Sequence, residues 1–198
     1  MVTSFEDVIA GSMIFPYVVV HGRFQPPLHI NHFTYINNAF CIGEHVKILI
    51  TNPMANEKET NIAPHRSKSE NNPFTYDERI KIFRAFLNAR KILPSRYSFA
   101  PFDITDDEAW DKLDKNDVYL VNTYSPWSEK KFAKFSKKGF KVIHSTIRRK
   151  EDISGTLIRS ILKKKISMNE KKKEFIRAGY MPEAIEGLLC VVAAREKK

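Results

Sequence analysis

Residues 17–32 read YVVVHGRFQPPLHINH. The apolar, β-branched run Val18–Val20 reads as a buried strand, and it breaks at Gly22. The loop that follows carries Arg23, Gln25 and two prolines, and His29 and His32 come next, where a helix should begin. A strand, a cationic loop and a helix N-terminus together suit a phosphate, because the first helical N–H groups lack partners and the helix dipole favours an anion there. At i and i+3, the two histidines would share one face of the first turn and aim at that anion. An imidazole can donate to a phosphoryl oxygen and, when protonated, neutralise charge.

Working outward, the pattern alternates strand and helix. A lead-in over residues 1–15 offers one short helix at Phe5–Ala10, followed by the strand at Tyr17–His21. A helix from about Asn31 to Cys41 has Phe33, Ile36 and Phe40 at helical spacing and ends at Gly43. His45–Thr51 is a second strand, and β-loop-α-β predicts a parallel pair with a right-handed crossover. Residues 52–73 are polar, rich in Asn and Pro, and read as a long loop holding His65 and Arg66. Thr75 and Glu78 form a capping box ahead of the stripe Ile82, Phe83, Phe86, Leu87. Further strands are expected at Tyr97–Ala100, Asp117–Val121 and Phe140–His144, with a basic helix at Glu129–Lys138 between the last two. Ser154 or Thr156 can cap a helix whose first turn carries Arg159, a second phosphate clamp. A C-terminal helical region, 165–198, includes a helix with Pro182 at its first position. The expected architecture is one α/β domain over residues 1–198. It is a Rossmann-like, doubly wound parallel sheet of about five strands with flanking helices, binding its ligand at the carboxyl ends of the strands.

The composition fits such a domain: 198 residues and 42% hydrophobic allow a sizeable core. Two cysteines, Cys41 and Cys190, are too few for a disulfide framework and lack metal-ligand spacing. Neither a basic leader nor an apolar run of ~20 residues is present, so the sequence predicts a soluble cytoplasmic protein. The net charge of +10 is uneven, with sixteen Lys or Arg against three acids over residues 130–173. That balance suits an anionic partner, although runs such as Lys163–Lys165 and Lys171–Lys173 are commonly solvated helix faces.

Four motifs carry a resemblance. GRFQPPLHINH resembles the signature of the HxGH nucleotidyltransferase superfamily at Gly22, Arg23, Phe24, Gln25, Pro26, His29 and His32, with Asn31 where that family has glycine. Asn72, Pro73, Phe74, Thr75, Glu78 and Arg79 are similar to the NPFT-x-x-ER segment of archaeal-type nicotinamide mononucleotide (NMN) adenylyltransferases. Asp103, Ile104 and Trp110 match the spacing of the Asp-Ile pair and tryptophan of those enzymes. Ile153, Ser154, Thr156 and Arg159 resemble the superfamily's ISxTxxR motif. Where the archaeal-type enzymes have Gly-Asn-Pro, this chain has Val121, Asn122, Thr123.

The resemblance implies in-line attack of an acceptor phosphate oxygen on the α-phosphorus of a triphosphate, with Mg²⁺ carried on the phosphates and no resident metal site. Catalysis then rests on His29, His32 and Arg159. Gly22, Arg23, Phe24, Gln25, Asn31, Asn122, Ser154 and Thr156 would hold the nucleotide, and Asp103 and Trp110 the acceptor, the indole stacking on the nicotinamide ring. The expected reaction is ATP plus NMN giving NAD and pyrophosphate. One alternative is adenylyl or cytidylyl transfer, from ATP or CTP, to another phosphorylated or phosphonylated small molecule. Another is a non-catalytic nucleotide- or RNA-binding module, which both histidines and Arg159 argue against. Archaeal-type relatives are often oligomers, so a homo-oligomer is one open state.

Overall fold

The computed structural model describes residues 2–25, 29–54, 68, 71–146 and 155–196. The described elements run β1 (Val2–Ser4), α1 (Phe5–Ala10), β2 (Phe15–Gly22), α2 (Ile30–Ile42), β3 (Gly43–Thr51), α3 (Tyr76–Ala89), β4 (Tyr97–Phe102) and α4 (Asp107–Asp111). They continue with β5 (Val118–Asn122), α5 (Pro126–Lys137), β6 (Lys141–Ser145), α6 (Gly155–Lys163), α7 (Met168–Arg177) and α8 (Pro182–Glu196). The strands form one six-stranded sheet, in the order β1-β6-β5-β2-β3-β4, with every pairing parallel. Starting from β2, the chain winds outward to β3 and β4, then returns to the other side of β2 for β5 and β6. The order therefore reverses between β2 and β5, which is where an open α/β sheet binds ligands.

The doubly wound α/β architecture is as the sequence predicts, with six strands instead of about five. The extra strand is Val2–Ser4, within the lead-in, paired with residues 142–144. Three residues carry no readable period, and their partner lies about 140 residues further along the chain, so local pattern could not reveal them.

Both sheet faces are covered. Val18 and Val20 pack with Ile36, Ala39 and Ile42 of α2 and with Phe83, Phe86 and Leu87 of α3. Val19, between them, packs on the opposite face with Trp110, Tyr119, Val121, Phe135 and Phe140. Alternate residues of β2 thus serve two cores, which is why the strand is apolar throughout. A third cluster forms on α3 through Ile82, where Ile158, Ile161, Phe175, Ile185 and Leu188 bring in α6, α7 and α8. The α3–α8 crossing is close at Gly187, where an added Cβ would lie 2.8 Å from the Ala85 Cβ and 3.1 Å from the Ile82 carbonyl oxygen. Lys163–Lys165 are exposed, as solvated-face lysines are, whereas Lys171 is only 6% exposed.

Among the described residues, no helix is long and apolar enough to cross a membrane.

Candidate active site

The loop leaving β2 is tightly folded. Phe24 takes a left-handed backbone conformation, φ 48°, and turns its ring back over Gly22. A Cβ at Gly22 would sit 2.8 Å from that ring, so glycine is needed for the turn to close. Phe24 is 2% exposed, edge-on to Phe83 (4.9 Å between centroids) and to His32 (5.2 Å). It is a hinge pin of the loop, packed inward. Gln25 is buried as well: its Nε2 donates to the Phe74 carbonyl at 2.6 Å, and its Oε1 accepts from the Phe74 amide at 3.0 Å. Expected as nucleotide contacts, Phe24 and the Gln25 amide instead fasten the loop to the start of α3. Pro26 lies outside the described residues.

His29 is the N-cap residue of α2 and its side chain does not cap the helix. His32 lies one turn on, and the two rings stack with centroids 3.9 Å apart and planes 20° apart. The i, i+3 relation read from the sequence thus appears as a stacked pair beside amides that a helix start leaves without intrahelical acceptors. Asn31 is the second residue of α2, half-buried between the histidines in sequence.

Arg79 anchors this loop from behind. It is 1% exposed, and its side chain makes five hydrogen bonds to backbone carbonyls. Nη1 donates to Arg23 (2.8 Å) and Thr51 (2.9 Å), Nη2 to Asn52 (2.9 Å) and Pro53 (3.3 Å), and Nε to Thr75 (3.3 Å). All five guanidinium N–H groups are therefore used. Burial brings its pKa down to about 10, which still leaves it charged at neutral pH. In the sequence, Arg79 stands in the NPFT-x-x-ER segment with no task of its own. Its spacing was a signal: Arg79, Ile82, Phe83 and Phe86 follow i, i+3, i+4, i+7, so a cation was written onto the apolar face of a helix.

Strands β2 and β5 part beside the loop. β2 and β5 are in register only at Val18–Val118 and Val19–Tyr119, whereas β2 follows β3 to its last residue, Gly22. Beyond Val19 the gap is bridged by Tyr35 of α2, whose hydroxyl donates to the Leu120 carbonyl (2.6 Å) and accepts from the His21 amide (3.3 Å). Burial pushes the Tyr35 pKa up. Asn122 ends β5, half-buried and in register with Ser145 of β6. Next to it, the Thr123 hydroxyl meets His144 Nε2.

Helix α6 approaches from the α2 side, since Ile30 packs against the cluster containing Ile158 and Ile161. Arg159 is its fifth residue, so it stands at the start of the second turn, not in the first as expected. Its Nη2 donates to the Thr156 hydroxyl at 3.1 Å. Ile153 and Ser154 lie outside the described residues, as do His65 and Arg66.

The Asp-Ile/Trp spacing has a different explanation from the one expected. The Asp103 carboxylate accepts from the Thr105 amide (2.9 Å) and hydroxyl (2.6 Å), closing a turn. Trp110 Nε1 donates to the Ile104 carbonyl at 3.1 Å. The indole is 1% exposed, against Phe102, Phe135 and Phe140, with Lys134 Nζ 4.5 Å from its centroid. In this structure Trp110 anchors a core and has no face to offer a nicotinamide ring.

The structure thus gathers Gly22, Arg23, Phe24, Gln25, His29, Asn31 and His32 at the end of β2, sets Asn122 at the end of the adjacent β5, and brings in α6. Asp103 and Trp110 serve the fold beyond β4. Among the described residues, no group of three His, Cys, Asp or Glu could hold a metal ion.

A doubly wound α/β fold hosts many chemistries, and among the known proteins to which this chain is similar are a cytidylyltransferase and, by fold, a bifunctional adenylyltransferase. Over 145 residues it is 29% identical to the phosphonoformate cytidylyltransferase of Streptomyces viridochromogenes, a match covering 71% of this chain and 77% of that one. The fold matches a bifunctional NMN adenylyltransferase/ADP ribose pyrophosphatase of Francisella tularensis, solved with AMP and a manganese ion. The TM-score is 0.57 at 17% identity, over 93% of this chain and 54% of that one. A second structure of the Francisella protein gives 0.56 at 16%. The chain therefore spans about half the length of that bifunctional protein. No family model matches the sequence.

Proposed function

We propose that this protein is a nucleotidyltransferase, and specifically that it transfers a cytidylyl group from CTP to a small phosphonylated or phosphorylated acid. The observation carrying the transfer reading is the stacked His29–His32 pair on the loop-to-helix junction at the sheet's switch point. The choice of cytidylyl over adenylyl rests on the similarity to a cytidylyltransferase, and two features favour it over NMN as acceptor. Trp110 is enclosed in a core, and Val121, Asn122, Thr123 stand where the NMN enzymes have Gly-Asn-Pro.

In this reading an acceptor oxygen attacks the α-phosphorus in line. The new bond is from that oxygen to phosphorus, and the bond to the bridging oxygen of the β-phosphate breaks, releasing pyrophosphate. The substrate is the Mg²⁺ complex of the triphosphate, so the metal arrives with it. His29 and His32 donate to the oxygens around the α-phosphorus as charge builds there, Arg23 and Arg159 hold phosphates, and Ser154 and Thr156 orient the triphosphate tail. Asn31 and Asn122 lie where the nucleoside would be held. No protein nucleophile takes part, so rate comes from positioning and charge stabilisation.

The test is pyrophosphate release with Mg²⁺ and either CTP or ATP, against phosphonate acids, phosphate acids and NMN. Turnover with CTP and a phosphonate or phosphate acid is the expected result, and His32→Ala should reduce it by several orders of magnitude without unfolding the chain. Turnover confined to ATP and NMN would replace this reading with NMN adenylyl transfer, which the adenylyltransferase fold match keeps as the second reading. Undiminished turnover by His32→Ala would remove the histidine pair from the mechanism.

A further inference from the structure

We infer that Arg79 is a positioning residue for the transfer step, and that it holds the loop carrying Arg23 in fixed register with the segment that leaves β3. The inference rests on the nucleotidyltransferase reading above.

Where the five carbonyls lie is what points beyond ordinary core packing. Arg23 belongs to the loop after β2, Thr51 is the last residue of β3, and Asn52 and Pro53 belong to the turn after it. These are the carboxyl ends of two neighbouring strands, the edge of the sheet where ligand would bind. The remaining carbonyl, Thr75, belongs to the N-cap residue of α3 itself, so the guanidinium is braced on a rigid helix while its outer fork spans both loops. That turn is under local strain, with Asn52 at φ 51°, and Asn52 Nδ2 donates to Asn72 Oδ1 at 3.2 Å. Gln25 ties the same loop to Phe74, one residue before that N-cap.

A planar fork with five fixed donors can serve two loops at once, which an ammonium on a flexible stem cannot match. Among the described residues no carboxylate pairs with Arg79, so its charge polarises the carbonyls and stays positive behind the phosphate-facing loop. A loop displaced by ~1 Å can cost about a hundredfold in rate through misalignment of the reacting atoms.

The test compares Arg79→Lys and Arg79→Met with the wild type. Thermal unfolding reports the fold, and kcat is expressed per nucleotide-binding site, with sites counted by CTP and ATP titration. The third readout is the ring-proton resonances of His32 in the nucleotide-free protein, assigned by comparison with His32→Ala. Phe24 lies edge-on to that ring, so its ring current reports where the loop sits. The expected result is a folded Arg79→Lys protein whose kcat per site is at least tenfold lower, with the His32 resonances moved; Arg79→Met is affected further. A folded variant with lowered unfolding temperature but unchanged kcat per site and unmoved His32 resonances would overturn the proposal, because a merely structural arginine behaves so. Failure of both variants to fold would overturn it too. If the wild type turns over no pair tested, the transfer reading fails, and the His32 resonances still decide whether Arg79 places the loop.

Discussion

The hydroxyl of Tyr35 takes up two backbone groups that strand pairing would have satisfied had β2 and β5 stayed together. Its removal leaves the Leu120 carbonyl without that donor inside a core, so Tyr35→Phe should destabilise the protein by about 1–3 kcal/mol. Urea unfolding checks this; an unchanged midpoint would mean that the strands close up when the hydroxyl goes. Gly22 and Phe24 show a second kind of residue-scale dependence. The left-handed Phe24 is tolerable because its ring is buried over a glycine, so backbone strain and side-chain burial are settled at one position. Trp110 teaches the opposite lesson, since an indole at a fixed distance from an Asp-Ile pair is explained by one hydrogen bond to a carbonyl of that pair.

Helix α3 links the site to the rest of the molecule. Its capping box, expected from Thr75 and Glu78, is present, and Arg195 of α8 closes over it. Arg195 Nε donates to Glu78 Oε1 at 2.6 Å, Nη2 donates to Glu78 Oε2 and to the Pro73 carbonyl, and the guanidinium lies 5.0 Å from the Phe74 centroid. Arg195 holds the Glu78 carboxyl below its ordinary range. A carboxylate with a lowered folded pKa contributes stability above its unfolded value of about 4.3, and loses it as pH falls through the folded value. Wild type should therefore lose more stability than Arg195→Ala between pH ~5 and ~3. At neutral pH the two should differ by less than about 1 kcal/mol for this partly exposed pair. Denaturant midpoints across that range decide it, and parallel acid limbs would separate Arg195 from Glu78. The capping box, the stripe and the helix of α3 were all legible because they are local. Its clamps were not, because Arg195 acts over 117 residues and the Arg79–Arg23 and Gln25–Phe74 contacts over some fifty, distances at which spacing says nothing. Likewise the loop, the histidine pair and the order of the elements could be read, whereas the inward turn of Phe24, Gln25 and Trp110 follows from packing partners met only on folding.

At the scale of the whole molecule, ion pairs such as Lys164–Glu174 and Lys172–Glu186 leave the net charge of +10 unchanged, and that surplus acts as a field. A field of this sign draws in a triphosphate and is screened by salt, the Debye length shrinking from ~30 Å at 0.01 M to ~8 Å at 0.15 M. Raising ionic strength over that range should lower kcat/KM for the triphosphate several-fold and leave kcat unchanged. Steady-state kinetics at the two salt concentrations tests this, and equal kcat/KM values would show that the charge plays no part in capture. The placement of β1 has its own outcome, in time. Val2 to Ser4 leave the ribosome well before their partners, Val142 to His144. At ~5–20 residues per second of synthesis, the first strand made waits roughly 7–30 seconds for the surface it will join. Until then that flank of the growing sheet has no lid, and α1, which follows β1 directly, has no sheet to lie on. The sheet is thus assembled from its switch point outward, and β1 is fastened to it once β6 has been made.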